Sequence, residues 1–356
     1  MFATHQVYML QSILHAYGLQ QEKLNVTTFG SGLINDTWRI KNGQKDYILQ
    51  RINNSVFKHP EDVAHNIQMI SQYLHRHHPE YLFVVPVKTA SGEEIFFNKD
   101  KGYFRMFPFV RGSHTIDVVQ SPSQAYEAAR QFGKFTNLLS GFDTNQLKIT
   151  IPDFHNLSLR YRQFEHSLNH GNTERIKEAD ESIKKIKQHF GIVQEFENIK
   201  SNSAFKLRVT HHDTKISNVL FDDNNKGLCV IDLDTVMPGY FISDVGDMLR
   251  TYLPSVSEEE KDFSTIEIRE EIFKAIVEGY GQEMKIELSA QEKEHFVYAG
   301  KFLIYMQAMR FLTDYLNDDV YYGAKYPDHN FVRANNQLVL LKQLIEKEKL
   351  FSKIKI

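Results

Sequence analysis

An α+β chain of two lobes, a small β-rich one followed by a larger, mainly helical one, is predicted by three features of the sequence. From Val26 to Ile52 short β-prone runs alternate with glycine-bearing turns at Gly30, Gly32 and Gly43, the pattern of antiparallel hairpins. Beyond Arg111 apolar residues recur every three or four positions, the period of helices packed on a core. A single β-prone interruption, from Leu207 to Asp234, divides those helices.

At the N-terminal end Leu10, Ile13, Leu14 and Tyr17 fall at helical spacing before Gly18, which predicts a short amphipathic helix packed on the first strands. A helix is expected from Pro60 to His75, and strands over Tyr81 to Val87 and Gly102 to Val110, with turns at Ser91-Gly92 and Asp100 to Gly102. Ser121-Pro122 is a helix start, a capping hydroxyl followed by proline at the first helical position, with Ala125, Ala129, Phe132, Thr136 and Leu139 as the inward stripe. Thr173 to Lys200 reads as one helix with Ile176, Ala179, Ile183, Ile186 and Phe190 on a common face and a solvated Lys/Glu surface elsewhere. Ser264 with Glu267 and Ser289 with Glu292 have capping-box spacing, each introducing a helix, and a last helix is expected from Val332 to Lys349.

Composition narrows the function classes. The 356 residues are 42% hydrophobic and 24% charged, a globular mixture with enough apolar mass for a large core. A net charge of -3 offers no field for a nucleic acid or an anionic membrane. No apolar run is long enough to span a bilayer, and the N-terminal residues carry no secretion-signal pattern. The one cysteine, Cys229, sits in the apolar run Leu228 to Ile231 and reads as a buried strand residue of a protein kept in the reducing cytoplasm.

The chemistry concentrates in the β-prone interruption. Val219 to Phe221 and Leu228 to Ile231 flank the turn Asp222-Asp-Asn-Asn-Lys-Gly227, so they pair as a hairpin with Asn218 and Asp232 at its open end. An amide oxygen and a carboxylate converging there make a hard-oxygen site suited to Mg²⁺, which takes few protein ligands and completes its shell with phosphate oxygens and water. Asp213, five residues before Asn218, projects toward the same point, where a carboxylate can accept or orient the proton of an attacking hydroxyl.

His211-His-Asp213-Thr-Lys-Ile-Ser-Asn218 resembles the catalytic loop of kinases and phosphotransferases, in which the aspartate is the base and the asparagine a metal ligand. That resemblance places Asp232 as the second metal ligand, makes His211 a scaffold residue, and implies the bilobal protein-kinase-like fold. Residues 1–110 are then the nucleotide-binding lobe and residues 111–356 the catalytic, substrate-binding lobe. It also implies ATP as donor, with Gly30, Ser31 and Gly32 of the hairpin Phe29-Gly-Ser-Gly-Leu-Ile-Asn35 lying over the phosphates. The lysine that kinases aim at the α- and β-phosphates is absent: Gln50 takes its position, Arg51 follows, and Asn66 and Gln68 are the residues of the first long helix nearest the role of its usual glutamate partner.

The whole chain resembles bacterial N-acetylhexosamine 1-kinases. The segments that carry the likeness are Gly30 to Asn35, Tyr47 to Gln50, Arg208 to Lys215, Ile231 to Gly239, Asp244 to Asp247, Arg310 to Leu316 and Lys325 to Asn330. The likeness implies glutamine at position 50 as a family trait, phosphorylation of the anomeric hydroxyl of N-acetylglucosamine or N-acetylgalactosamine, and sugar contacts on Asp213, Asp234, Arg310 and Tyr321. Read from the residues, Asp234 shares a face with Asp232, two apart on an extended segment, with no basic neighbour in sequence. Arg310 lies on the inward stripe of Phe296, Ala299, Leu303 and Met306, where it serves either a sugar or an i, i+4 ion pair with Asp314. Tyr321, Tyr322 and Tyr326 crowd the following loop. The partners expected are ATP and a small sugar, with no nucleic acid and no membrane, and a monomeric state. The alternatives are a kinase for another small alcohol (choline, homoserine, an aminoglycoside) and an inactive nucleotide- or sugar-binding module.

Overall fold

The computed structural model describes residues 10–20, 24–30, 34–43 and 45–356. Its first lobe is a five-stranded antiparallel sheet in the order β1-β2-β3-β5-β4, built from β1 (Asn25–Thr28), β2 (Asp36–Lys41), β3 (Asp46–Ile52), β4 (Phe96–Asn98) and β5 (Gly102–Pro108). Alternation along these strands sends Val26, Ile40, Leu49, Phe104 and Met106 to one face, where they bury Leu10, Ile13, Leu14 and Tyr17 of the helical stretch over residues 10–16 and the turn after it. The opposite face carries a row of Thr37, Gln50 and Arg105, which are cross-strand partners.

Helix α1 (Pro60–His77) follows β3 in sequence but packs with the second lobe. Its Val63, Ile67, Ile70 and Leu74 join that lobe's core. Asn66, fully buried, bonds both main-chain groups of Lys148 at 2.8 Å and the carbonyl of Val236 at 2.9 Å. Asn66 is therefore occupied in docking the helix, not in standing in for a glutamate that faces a strand cation.

The second lobe comprises α2 (Pro122–Leu138), α3 (Leu157–His170), α4 (Thr173–Glu178), α5 (Asp180–Gln188), α6 (Gly191–Ser201), α7 (Phe241–Tyr252), α8 (Glu270–Met284), α9 (Ala290–Glu294), α10 (Phe296–Leu316) and α11 (His329–Phe351). Set among them are two small sheets, β6 (Arg208–Thr210) with β9 (Met237–Gly239) and β7 (Val219–Phe221) with β8 (Gly227–Val230). Helix α10, buried along nearly its whole length, is the spine of the lobe. Helix α7 presses close to it because Gly246 has no side chain: a Cβ there would collide with the carbonyl of Ala299. That approach fixes Asp244 and Asp247, which lie on the same helix, against the β6 loop. Among the described residues no helix is long and apolar enough to cross a membrane.

The hairpin over 219–230 forms as its turn predicts, and Cys229 is fully buried in it, with burial pushing its thiol up to about 12. Other expectations need correction. Tyr81 to Val87 is no strand; Pro86 removes a ladder donor, and only Val87 bridges to Met106. Thr173 to Lys200 is three helices: the chain turns at Ala179, whose ψ of 6° leaves the helical well, and again at His189–Phe190. Ser264 does not cap a helix, because Asp262 takes its backbone N–H and hydroxyl to make a 3₁₀ turn, and α8 begins only at Glu270. The box of Ser289 and Glu292 does form, and Glu292 also holds Arg208 of β6 in a buried ion pair at 2.6 Å.

Candidate active site

The site is built on the loop between β6 and β7. Its backbone is held from below by α7: Asp244 accepts the N–H groups of His211 at 3.0 Å and His212 at 2.7 Å, and Asp247 accepts that of Thr214 at 2.8 Å. The Thr214 hydroxyl donates to the Asp244 carbonyl, and Tyr252 donates to the Thr214 carbonyl. Burial pushes the Asp244 carboxyl up to about 7 against the opposing pull of the two N–H groups. His212 sits at φ 66°, a left-handed conformation that an L-residue adopts only under such constraint. Gly239 of β9 leaves room for its ring; a Cβ at 239 would collide with His212 and Thr210. His211 donates from Nε2 to the Ile231 carbonyl at 2.9 Å and packs edge-on to Phe132, so it braces the loop against the hairpin.

These braces aim Asp213 and Asn218 at each other. Asn218 Nδ2 donates to the Asp213 carbonyl at 2.9 Å and to its Oδ2 at 3.0 Å, which leaves Oδ1 of Asn218 without a hydrogen bond among the described residues. Lys215 Nζ lies 3.1 Å from Oδ1 of Asp213. Burial raises the Asp213 pKa, but Lys215, His211 and the Asn218 amide together outweigh it and hold the carboxyl below its ordinary value. Asp213 is thus an ionised acceptor at neutral pH, the state needed to take a proton from, or orient, an attacking hydroxyl.

Across the hairpin mouth, the Ile231 N–H donates to the Asn218 carbonyl at 2.9 Å, which brings Asp232 beside the loop. Asp232 has φ 59° and ψ 64°, a left-handed backbone that costs roughly 1–2 kcal/mol in an L-residue and gathers at functional positions. Its carboxyl is pushed up to about 7, first by burial and then by the negative charges of Asp234 and Asp213, with Arg105 and Lys215 pulling the other way. The negative charges of Asp234 and Asp213 thus add to that of Asp232, and a divalent cation bound at Asp232 with the unbonded Asn218 amide oxygen would relieve them. Among the described residues no trio of His, Cys, Asp and Glu forms a ready-made cage. A cation at Asn218 and Asp232 would accordingly draw its remaining ligands from a nucleotide's phosphates and from water.

Asp234 differs from its expected surroundings. It is 2% exposed, its Oδ1 lies 2.5 Å from Arg105 Nη1, and its Oδ2 accepts from Asn35 Nδ2 at 2.9 Å. The absence of a basic neighbour in sequence is made good in space by β5. Gln50 belongs to the same network, its Oε1 accepting from Arg105 Nε and Nη2 at 3.1 and 2.9 Å. Gly30 takes a left-handed φ of 79°, which glycine adopts without steric cost; Ser31 and Gly32 lie outside the described residues.

On the other side of the loop, Arg310 has no carboxylate partner among the described residues. Asp314 is spent on the N–H groups of Tyr321 and Tyr322, at 2.7 and 2.9 Å, and on Asn330, so the i, i+4 ion pair does not form. Arg310 instead points between Gln307 Oε1 at 3.4 Å and the Tyr321 hydroxyl at 3.5 Å, near the rings of Tyr321 and Tyr322. His155 links this group to the loop, its ring 5.3 Å from that of His212. Burial first, and then coupling to His212 and the positive field of Arg310, push its pKa well below the ordinary value.

Sequence reasoning brought Asp213, Asn218 and Asp232 together. It missed Arg105, Asn35 and His155, and gave Asp244 and Asp247 no role. A lone arginine in the apolar run Gly102 to Pro108, in register with Gln50, was the available signal for the first.

A model of the phosphotransferase enzyme family (APH) matches residues 25–285. The fold is shared with solved structures of low identity. An amicoumacin kinase in complex with AMP-PNP, Ca²⁺ and its ligand is 15% identical at a TM-score of 0.63, over 94% of this chain and 93% of that one. An aminoglycoside phosphotransferase from Alicyclobacillus acidocaldarius is 14% identical at 0.63, over 96% of each. A spectinomycin phosphotransferase in complex with ADP and spectinomycin is 12% identical at 0.60, over 96% of this chain and 98% of that one.

Proposed function

The chain belongs to the phosphotransferase enzyme family, and on that premise we propose that it transfers the γ-phosphoryl group of ATP to the anomeric hydroxyl of N-acetylglucosamine or N-acetylgalactosamine, giving the sugar 1-phosphate and ADP. The observation that carries the acceptor assignment is Arg310, a guanidinium with no carboxylate partner among the described residues, set beside Gln307 and the rings of Tyr321 and Tyr322. A site for choline or an aminoglycoside has to attract a cation, and an uncompensated guanidinium repels one. The same group suits a neutral polyol with an amide carbonyl, to which it can donate, while a tyrosine ring covers the apolar face of the pyranose.

In this reading Asp213 accepts a hydrogen bond from the anomeric hydroxyl and aligns its oxygen for attack, and Lys215 sits where charge develops on the transferred group. Asn218 and Asp232 would hold Mg²⁺, which supplies charge neutralisation to the phosphates when bound. Gly30, Ser31 and Gly32 would lie over the phosphates. Gln50 spends its carbonyl on Arg105 and directs one amide N–H to the Thr37 hydroxyl at 3.5 Å, which leaves its second N–H for the nucleotide. Asp234 Oδ1 is buried against Arg105, so a sugar hydroxyl would meet Oδ2, which spends one lone pair on Asn35 and retains another.

The test is phosphorus NMR of a mixture of protein, ATP, Mg²⁺ and one acceptor at a time: N-acetylglucosamine, N-acetylgalactosamine, choline, homoserine and an aminoglycoside. A phosphorus signal coupled to the anomeric proton of an N-acetylhexosamine is the expected result. Turnover confined to choline, homoserine or the aminoglycoside would overturn the assignment.

A further inference from the structure

Arg105 is 2% exposed and its ion pair with Asp234 joins the small sheet to the second lobe. Its guanidinium plane is fixed by two bonds to Gln50 on the neighbouring strand and ends on Asp234 at 2.5 Å. Asn35 closes the other side, with Nδ2 on Asp234 and Oδ1 accepting the Asn53 N–H at 3.0 Å. The segment two residues beyond Asp232 is thereby tied to the small sheet at both carboxylate oxygens. A buried arginine–aspartate pair is weak evidence for stability, because desolvation offsets much of its attraction; its value lies in fixed geometry. Arg105 also places positive charge next to the Asp213, Asp232 and Asp234 cluster, which Lys215 alone does not balance.

We propose that Arg105 is the positioning cation of the phosphoryl-transfer site: acting through Asp234, it holds the Asp232 segment against the small lobe in the geometry that receives a metal-bound nucleotide. Gln50, its direct cross-strand partner, holds the guanidinium plane by accepting two of its N–H groups. The role rests on the nucleotide-kinase reading above, and the experiment separates the two.

Isothermal titration with AMP-PNP, in Mg²⁺ and in EDTA, is carried out on the wild type and on R105Q and R105K, each checked by thermal melting. Loss of one charge-assisted contact should weaken Mg·AMP-PNP binding by about tenfold to a hundredfold in R105Q. The loss should be much smaller in EDTA. R105K, which restores a cation at this position, should recover most of the affinity. A purely structural arginine would lower the melting temperature and leave the gain from Mg²⁺ unchanged in R105Q, and that result overturns the proposal. Should R105Q fail to fold, R105K decides: folded with near wild-type affinity it supports the role, and folded without Mg²⁺-dependent affinity it refutes it. Absence of nucleotide binding by the wild type would overturn the kinase reading itself, whereas wild-type binding with an unaffected R105Q removes only Arg105.

Discussion

Asn218 donates both to the main-chain carbonyl and to the carboxylate of Asp213, at 2.9 and 3.0 Å. The amide N–H groups are thus spent on Asp213, and the amide oxygen makes no hydrogen bond among the described residues. One side chain orients the group that would handle the acceptor hydroxyl and presents a ligand to the metal that would hold the donor. Donor and acceptor geometry are coupled through a single residue.

Removing that coupling has a defined consequence. N218A should raise the Mg²⁺ concentration needed for half-maximal rate by about tenfold, the usual scale for loss of an oxygen ligand or its supporting bond. The rate measured as a function of Mg²⁺ at fixed ATP checks this, and an unchanged Mg²⁺ requirement would remove Asn218 from the metal site.

His212 makes the fold acid-sensitive in a calculable direction. Burial lowers its pKa from the ordinary histidine value of 6.5 to about 4. Between those values the unfolded chain takes up a proton that the folded one refuses, so the stability contributed by neutral His212 is complete above pH 6.5 and is lost as pH falls toward 4. The loss is about 1.4 kcal/mol for each pH unit in that window. Asparagine tolerates the left-handed backbone at 212, so H212N should melt with a shallower acid dependence than the wild type. Parallel slopes from pH 6.5 to 4 would contradict the assignment.

Asp244 anchors two buried N–H groups of the loop. D244A leaves both unsatisfied and should cost about 3 kcal/mol of stability, because each buried donor left without a partner forfeits its solvation. Chemical denaturation measures the loss. The rate of phosphoryl transfer should fall with it, since the same N–H groups set the direction of Asp213.

Arg310 distinguishes acceptor binding from chemistry. R310A should raise KM for the N-acetylhexosamine by about tenfold or more, the scale of a hydrogen bond from a charged donor, with KM for ATP unchanged. Steady-state kinetics with each substrate varied in turn tests this; a rise confined to ATP would place Arg310 on the wrong side of the site.

Much of this site can be read in the sequence, and the limits are physical. Asp222 to Gly227 is a turn by composition, so the hairpin that joins Asn218 to Asp232 follows from local rules. Arg105 has meaning only through the register of β3 against β5, and the neighbours of Asp234 come from 129 residues earlier, Arg105, and 199 residues earlier, Asn35, separations no local rule spans. Asp244 and Asp247 are visible as an i, i+3 pair, but their task depends on Gly246 letting α7 close on α10. The single helix expected over 173–200 breaks at Ala179, a good helix former whose position is set by packing against the lobe rather than by its own propensity.

The central claim is that Asp213, held by Asn218 and facing Asp232, positions the hydroxyl that receives the phosphoryl group. D213N preserves the shape of the side chain and removes its charge. With saturating Mg·ATP and N-acetylglucosamine or N-acetylgalactosamine, phosphorus NMR should show sugar 1-phosphate forming about 10²- to 10⁴-fold more slowly than in the wild type, the range expected when a positioned acid–base group is lost. AMP-PNP binding should be retained. Formation of sugar 1-phosphate by D213N within a few-fold of the wild-type rate would contradict the account.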